Sequence, residues 1–314
     1  MAAKYYQDPG RVNIAYITSC RWVDSYQEGT LENLARRIIA GEDAFARRFN
    51  LVCIVVDDDA EQYAKAWGKG DLWQRDLAVP IRGKESILEE RTLESMTVRV
   101  PSQPWRALRR SSGETLREFR ARKQRSKANY EERILQYLIS RRADLILADS
   151  YLPLFGPVLL GAYANRITNV HPAITQVGDP SRIPGRTPTR DTYTRAAFGC
   201  IIIDDKRVVA IPEGRRVYVE SDGKLREAVE VGENRETGVT VHVVTREVDA
   251  GPVICCERYR ITDDELNFDA IRMRNNLIKK ELIPRALLTY IEKEEVIRDI
   301  RNWRSQIRSP HEQR

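Results

Sequence analysis

"RVNIAYITSCRWVDSYQEGTLENLARRIIAGEDAFARRFNLVCIVVDDD", residues 11–59, decides the fold. Its first run, RVNIAYITS (11–19), is short and apolar, the pattern of a buried strand. In EGTLENLARRIIAGEDAFARRF (28–49), Leu31, Leu34, Ile38, Ile39 and Phe45 recur at helical spacing with arginine pairs turned outward. LVCIVVDDD (51–59) is a second buried-strand run. Strand, helix and strand at this spacing read as a parallel βαβ unit, because parallel neighbours need a crossover between them.

The pattern continues outward. Residues 60–130 are less regular, and GETLREFRARKQRSKANYEERILQYLISRRAD (113–144) comes next as a long helical stretch. Its later part carries an apolar stripe through Tyr130, Ile134, Leu135, Leu138 and Ile139, whereas Arg117 to Lys127 is mostly basic. DLILADSYLPLF (144–155) and RITNVHP (166–172) are third and fourth strand runs, joined by a helix through FGPVLLGAYA. DTYTRAAFGC reads as a short helix. Residues 201–238 alternate apolar and polar around Pro212-Glu213-Gly214 and Ser221-Asp222-Gly223, which predicts a β-hairpin excursion. VTVHVVTREVDAGPVICCERYRI (239–261) gives two more strands, and Asp263 to Arg304 is mainly amphipathic helix. The expected class is α/β: a Rossmann-like, mostly parallel twisted sheet flanked by helices, with a β-hairpin insertion and a helical C-terminus. The expected domains are 1–262, with insertions at about 60–130 and 205–236, and a helical extension over 263–314.

Composition narrows the class. The 314 residues are 42% hydrophobic, enough for one large domain or a core domain with an appendage. No apolar run reaches membrane-spanning length, and MAAKYYQDPGR lacks the apolar core of a signal peptide, so a soluble, cytoplasmic protein without membrane partners is expected. The cysteines Cys20, Cys53, Cys200, Cys255 and Cys256 have neither CxxC nor Cys/His ligand spacing, so reduced core thiols and no metal are expected. A net charge of +6 suits anionic ligands or nucleic acid without choosing between them.

The chemistry-bearing residues lie late in the chain. In open α/β sheets ligands bind beyond the carboxyl ends of the strands. Asn169 and His171 sit where the strand 166–170 ends, two residues apart and so on one face, and Pro172 stops the pairing. Asp249, in EVDAGP after the strand 239–245, is held in a tight loop by Gly251 and Pro252. Alone, a histidine before proline is more often structural than catalytic, and Asp-x-Gly is usually a turn. Together the features are more specific.

The chain here resembles the folate-dependent formyltransferases, the group that contains glycinamide ribonucleotide and methionyl-tRNA formyltransferases. The ordered matches are Asn169, His171 and Pro172; Pro184-Gly185; Thr237-Gly238 and Thr240-Val241-His242; and Asp249, Gly251 and Pro252. They span about 144–258, with a diffuse likeness over 11–59. There are departures. Ala173-Ile174-Thr175 and a longer loop through Gly178-Asp179-Pro180 replace the family's usual Ser-Leu-Leu-Pro. TSCRWVDSYQEG stands where a Gly-rich phosphate loop would come after strand one, which counts against a ribonucleotide phosphate. GRTPTRD and its loop look closer to the hydroxyornithine formyltransferases of siderophore pathways.

The resemblance implies transfer of a formyl group from 10-formyltetrahydrofolate, without metal, to an amine or hydroxylamine nitrogen of a small metabolite, best of the N5-hydroxyornithine type. It implies catalytic roles for Asn169, His171 and Asp249, with Asp249 pairing with His171; a neighbouring carboxylate favours imidazolium, so a raised His171 pKa is expected. The pterin is expected against Tyr151, Leu152, Leu154, Phe155 and Leu160, and against Thr245, Glu247 and Val248. The bland reading of Leu154 and Leu160 is ordinary core. The acceptor is expected near Arg21, Asp24, Gly185, Arg186 and Thr187. His242 is read as structural, and His311 as chemically idle.

Competing readings differ in acceptor or class. A glycinamide ribonucleotide or amino-sugar nucleotide formyltransferase changes the acceptor, and formyltetrahydrofolate hydrolase uses water. The basic segment 105–127 would suit a nucleic-acid-binding protein or a tRNA formyltransferase. The tRNA enzymes carry a β-barrel after the catalytic domain, whereas Asp263 to Arg304 reads as helix; a solvated helix face is the commoner meaning of such a run. Nucleic acid is therefore disfavoured, and the helical C-terminus admits a homodimer.

Overall fold

The computed structural model describes residues 10–19, 29–57, 96–151, 153–204, 209–221 and 223–307. The fold is α/β, as expected: a mixed, mostly parallel seven-stranded sheet flanked by helices, and a separate three-stranded sheet. Two compact units divide the chain, Met1–Thr168 with Leu288–Arg314, and Asn169–Leu287. Among the described residues no helix is long and apolar enough to cross a membrane.

In the first unit β1 (Val12–Thr18), β2 (Phe49–Val56), β3 (Thr97–Arg99) and β4 (Leu145–Asp149) run parallel in the order β4-β1-β2-β3. Ile14 to Thr18 and Leu145 to Asp149 are buried throughout, as strands covered on both faces must be. The helical stretch 28–49 is two helices, α1 (Thr30–Ala40) and α2 (Ala44–Arg48). Gly41 ends α1 in the left-handed region at φ 67°, and the Asp43 carboxylate caps the restart by accepting from the Ala46 amide. With the helical stretch so interrupted, β2 begins at Phe49 rather than Leu51.

After the short α3 (Gln103–Arg106), α4 (Leu116–Ser140) begins at a reciprocal capping box between Thr115 and Glu118. Its buried stripe is Tyr130, Glu131, Ile134 and Leu138. The basic first half is largely solvated: Arg117, Arg120 and Arg125 are exposed, and Arg122 pairs with Glu114 at 2.8 Å. Glu131 is an unexpected member of the stripe. Its carboxylate accepts from the amide of Gly156 and, at 3.4 Å, from that of Leu159, at the start of α5 (Pro157–Ala162). Burial pushes its pKa up, against the pull of Lys127 and these amides.

The last helix, α8 (Glu294–Ile307), is tied to the residues that lead into β1 and β4. Trp303 donates to the Ala143 carbonyl at 2.8 Å, and Arg304 Nε donates to Asp144 Oδ1 at 2.9 Å. Asp144 also takes the Asn13 amide at 2.8 Å, so one buried carboxylate ties β1, the entry to β4 and the C-terminal helix together.

The second unit begins within β5 (Ile167–His171), whose neighbour is β9 (Glu236–Val243); β10 (Val253–Arg260) pairs antiparallel with β9, with Val253 opposite His242. Between β5 and β9 come α6 (Pro188–Phe198) and a three-stranded sheet of β6 (Cys200–Ile202), β7 (Arg216–Ser221) and β8 (Lys224–Glu230), ordered β6-β8-β7. The expected hairpin is β7–β8, and the run beginning at Cys200 adds a third strand. The helical C-terminus is α7 (Phe268–Ile291) and then α8. Among the described cysteines, Cys53, Cys200, Cys255 and Cys256 are free thiols.

Candidate active site

Pro172 sets the end of β5, because it cannot continue the ladder. Its carbonyl accepts from Asn275, and the next carbonyl, of Ala173, accepts the Thr240 hydroxyl at 2.8 Å. The chain then loops out and returns at a bridge between Ile174 and Arg182, where the Ile183 amide donates to the Ile174 carbonyl at 2.9 Å. This pinch places the Ile183 carbonyl 2.8 Å from His171 Nε2.

Asp249 arrives from the loop after β9. Its φ is 49°, left-handed backbone that Asp adopts more readily than most non-glycine residues. Gly251 is required by close approach, since a Cβ there would overlap the Val243 carbonyl. That carbonyl belongs to a residue whose amide donates to Pro252 O at 2.9 Å, so the loop closes on the strand it leaves. The Arg182 guanidinium holds the turn from outside, donating to Asp249 O at 3.1 Å and to Thr175 O at 2.9 Å.

Four side chains converge. His171 Nδ1 is 3.6 Å from Asp249 Oδ2, and His242 Nε2 is 3.5 Å from Asp249 Oδ1. Asn169 Nδ2 is 3.2 Å from His242 Nε2, and Asp249 Oδ2 accepts the Gly185 amide at 2.8 Å. Proton positions are dictated by the fixed carbonyls. The His242 Nδ1 lies 3.0 Å from the Val243 carbonyl, so it carries a proton and Nε2 accepts from the Asn169 amide. By the same reasoning His171 Nε2 donates to Ile183, and its Nδ1 lone pair faces Asp249.

Burial decides the His171 charge. The ring is 4% exposed, and desolvation lowers its pKa below 6.5 although Asp249 pulls the other way. The raised value expected from the carboxylate alone is thus reversed: taking an imidazolium out of water costs more here than the neighbouring anion returns. For Asp249, burial raises the pKa, but the neighbouring His171 and His242 rings and the Gly185 amide outweigh it and hold the carboxyl well below its usual range. The resting arrangement is a neutral imidazole with an open acceptor nitrogen beside a carboxylate, next to an amide with an N–H to spare. Such a group can take a proton at His171 Nδ1, share the resulting charge with Asp249, and offer the second Asn169 N–H to developing negative charge.

The three residues picked from sequence, Asn169, His171 and Asp249, therefore come together. His242, read as structural, stands among them. Alternation puts it on the opposite face of β9 from Val241 and Val243, the one available signal. Arg182 and the Ile183 carbonyl carried no recognisable pattern. Gly185 presents its amide to Asp249; Thr187 lies at the start of α6 with its hydroxyl between Arg190 and Asp191, and Arg186 is partly buried. Thr245 and Glu247 are exposed and Val248 is partly buried, in the loop that ends at Asp249; Thr245 Oγ1 donates to Glu247 O at 3.1 Å.

The other predicted folate contacts belong to the first unit. Leu154 is 42% exposed and Leu160 partly buried, so neither is ordinary core; Leu159 fills that place. The Tyr151 and Phe155 rings lie 4.9 Å apart, and Tyr151 shares a 2.9 Å hydrogen bond with Tyr130. Arg21, Asp24, Leu152 and His311 lie outside the described residues.

No protein-family model matches the chain, and no curated protein matches its sequence. Solved structures do. Two phosphoribosylglycinamide formyltransferases are similar at a TM-score below one half. That of Bacillus halodurans has 18% identity and TM-score 0.49, over 90% of this chain and 96% of that one. That of Streptococcus pneumoniae has 20% identity and TM-score 0.48, over 89% and 99%. PvdF of pyoverdin biosynthesis, described as a structurally unique N10-formyltetrahydrofolate-dependent formyltransferase, matches at TM-score 0.60 and 21% identity, over 90% of this chain and 100% of that one. By that match the chain has the fold of a folate-dependent formyltransferase.

Proposed function

We propose that this protein is an enzyme that transfers a formyl group from 10-formyltetrahydrofolate to an amine or hydroxylamine nitrogen of a small metabolite. The observation that carries the reading is the meeting of Asn169, His171 and Asp249 at the end of β5, with the His171 Nδ1 lone pair turned toward a carboxylate. The Asn-x-His-Pro and Asp-x-Gly-Pro matches support the same assignment, and the fold accords with it. For the acceptor we propose first a hydroxylamine of the N5-hydroxyornithine type, as in siderophore biosynthesis. The support is the 173–187 loop, which departs from the ribonucleotide enzymes and looks closer to hydroxyornithine formyltransferases. PvdF, of pyoverdin biosynthesis, is similar in fold.

The second unit holds backbone of the kind a folate takes: a pterin is read by main-chain groups along its edge, and the loop Thr245–Val248 offers them. When bound, 10-formyltetrahydrofolate supplies an activated formyl carbon. Asn169 offers its free amide hydrogen to the formyl oxygen as charge builds there. His171 Nδ1 receives the proton of the attacking nitrogen, Asp249 stabilises the imidazolium so formed, and the same proton passes to the leaving folate nitrogen as its bond to the formyl carbon breaks. The Ile183 carbonyl keeps the ring in the tautomer that leaves Nδ1 open.

The test is to mix the protein with 10-formyltetrahydrofolate and, separately, hydroxyornithine, glycinamide ribonucleotide, an amino-sugar nucleotide and charged initiator tRNA, monitoring tetrahydrofolate release. Release with hydroxyornithine alone supports the full reading. Release with a different amine keeps the reaction and replaces the acceptor. Release without any amine makes the protein a hydrolase, and no release in any mixture overturns the reading.

A further inference from the structure

Among the described residues the three-stranded sheet ends in an edge strand, β7. Its order is β6-β8-β7, and among the described residues no strand pairs with the outer side of β7. The Glu230 amide donates to the Arg215 carbonyl at 2.9 Å, so odd-numbered residues of this strand turn their backbone groups to β8. Arg216, Tyr218 and Glu220 therefore turn theirs outward. All three side chains are exposed, Tyr218 to 68%. Proteins usually blunt such an edge with like-charged side chains, proline or a bulge. The strand RVYVES has no proline, its register with β8 is unbroken from Arg216 to Ser221, and its two charges, Arg216 and Glu220, are of opposite sign.

The edge is also self-complementary. In an antiparallel pair of two β7 strands centred on Tyr218, Arg216 stands opposite Glu220 of the second copy, and Glu220 opposite its Arg216. The centring at Tyr218 makes Arg216, Tyr218 and Glu220 hydrogen-bonded pairs, so their free N–H and C=O groups meet partners. Opposite charges then face each other across the seam, and two tyrosines meet at its middle. A shift of the pairing by two residues would set Arg216 against Tyr218 and lose both ion pairs. On the other face Val217 and Val219 already pack on Cys200, Ile202 and Ala228, which keeps β7 rigid and ready to pair.

We propose that β7 is a homodimer edge: two copies of this chain join their three-stranded sheets into one continuous sheet across Arg216, Tyr218 and Glu220. A two-fold arrangement of this kind closes on itself and does not propagate into fibres.

Sedimentation equilibrium on the full chain tests the proposal. Wild type is expected to be a monomer–dimer mixture that shifts to dimer with concentration. Tyr218→Pro removes an outward N–H without touching the β7–β8 ladder, a place where a strand tolerates proline. It is expected to raise the dimer dissociation constant about tenfold or more with an unchanged circular dichroism spectrum. Arg216→Glu sets like charges opposite each other and is expected to weaken the dimer, as is Glu220→Arg; the double exchange is expected to restore it. A wild type that stays monomeric at every concentration overturns the proposal, as does a dimer indifferent to Arg216→Glu. Should Tyr218→Pro unfold the chain, the charge exchange decides alone, and failure of the double exchange to restore the dimer overturns the register.

Discussion

His171 Nδ1 stands 3.6 Å from Asp249 Oδ2, beyond hydrogen-bond length, while the other ring nitrogen is 2.8 Å from the Ile183 carbonyl. The ring is therefore anchored on the carbonyl side and open on the carboxylate side. A neutral ring is the resting form because burial lowers its pKa below 6.5. The acid limb of kcat/KM is then expected to turn below pH 6.5, with full activity kept where a solvent-exposed imidazole would be half protonated. Stability moves in the same window. A folded-state pKa below the unfolded one means that the unfolded chain binds more protons, so the contribution is fully present above about pH 6.5 and is lost as the pH falls through the lowered value. His171→Gln is expected to flatten the acid side of a denaturation-against-pH curve. An unchanged slope would show the ring charged in the folded protein.

Asp249→Asn separates charge from backbone shape. Asn accepts the left-handed φ of 49° as readily as Asp, so the loop should keep its path. Asn can still receive the Gly185 amide, but it cannot stabilise a cation on His171. Turnover is expected to fall by roughly a hundredfold or more, within the range lost when acid–base support is removed. Asp249 raises the His171 pKa, so its loss should move the acid limb of any residual activity to still lower pH. A rate equal to wild type across the pH range would remove Asp249 from the mechanism.

Gly251→Ala probes the geometry that carries Asp249 into place. The added methyl would overlap the Val243 carbonyl, which is backbone and cannot swing aside. The loop has to move, at a cost of about 1–3 kcal/mol by the usual measure of overpacking. Chemical denaturation should report that loss. The Asp249–Gly185 and Asp249–His171 distances depend on this same loop, so activity should fall further than stability alone explains. Equal stability with normal turnover would mean that the loop has slack.

Residues 11–59 made the parallel βαβ unit legible because buried strands and an amphipathic helix write different periods into a sequence. The break at Gly41 was hidden, since the apolar spacing of Leu31 to Phe45 runs straight through it and only a glycine with a capping Asp just after it marks the stop. Asn169, His171 and Asp249 were legible as polar residues at strand ends beside Pro172 and Gly251. His242 reads as structural because a histidine among valines looks like a packed core ring, and its contact with Asn169, 73 positions away, leaves no mark in the neighbouring sequence. The His171 charge was not legible at all: neighbouring sequence names the carboxylate, but the burial that overrides it is a property of the folded chain. Backbone groups such as the Ile183 carbonyl have no identity in a sequence, so positions that act through the main chain stay silent until the loop is seen closed.

Arg182 is the clearest of these silent positions. It donates to Thr175 O and Asp249 O, so one guanidinium ties the 174–183 loop, which orients His171 through Ile183, to the turn that presents Asp249. Hydrogen bonds from a charged donor contribute about 1.5–3 kcal/mol each, and the loss of the Asp249 bond would loosen both partners of the His171 pair at once. Arg182→Ala is expected to lower kcat by roughly 10- to 100-fold, since 1.4 kcal/mol is a factor of ten, with little change in KM because no contact to substrate is lost. The acid limb should broaden or shift as the His171–Asp249 distance varies. Arg182→Lys can reach one carbonyl but not both in the fork geometry of arginine, so partial rescue is expected. A purely structural role predicts otherwise: the melting temperature would fall in both variants while kcat and the pH profile of the folded fraction stayed at wild-type values.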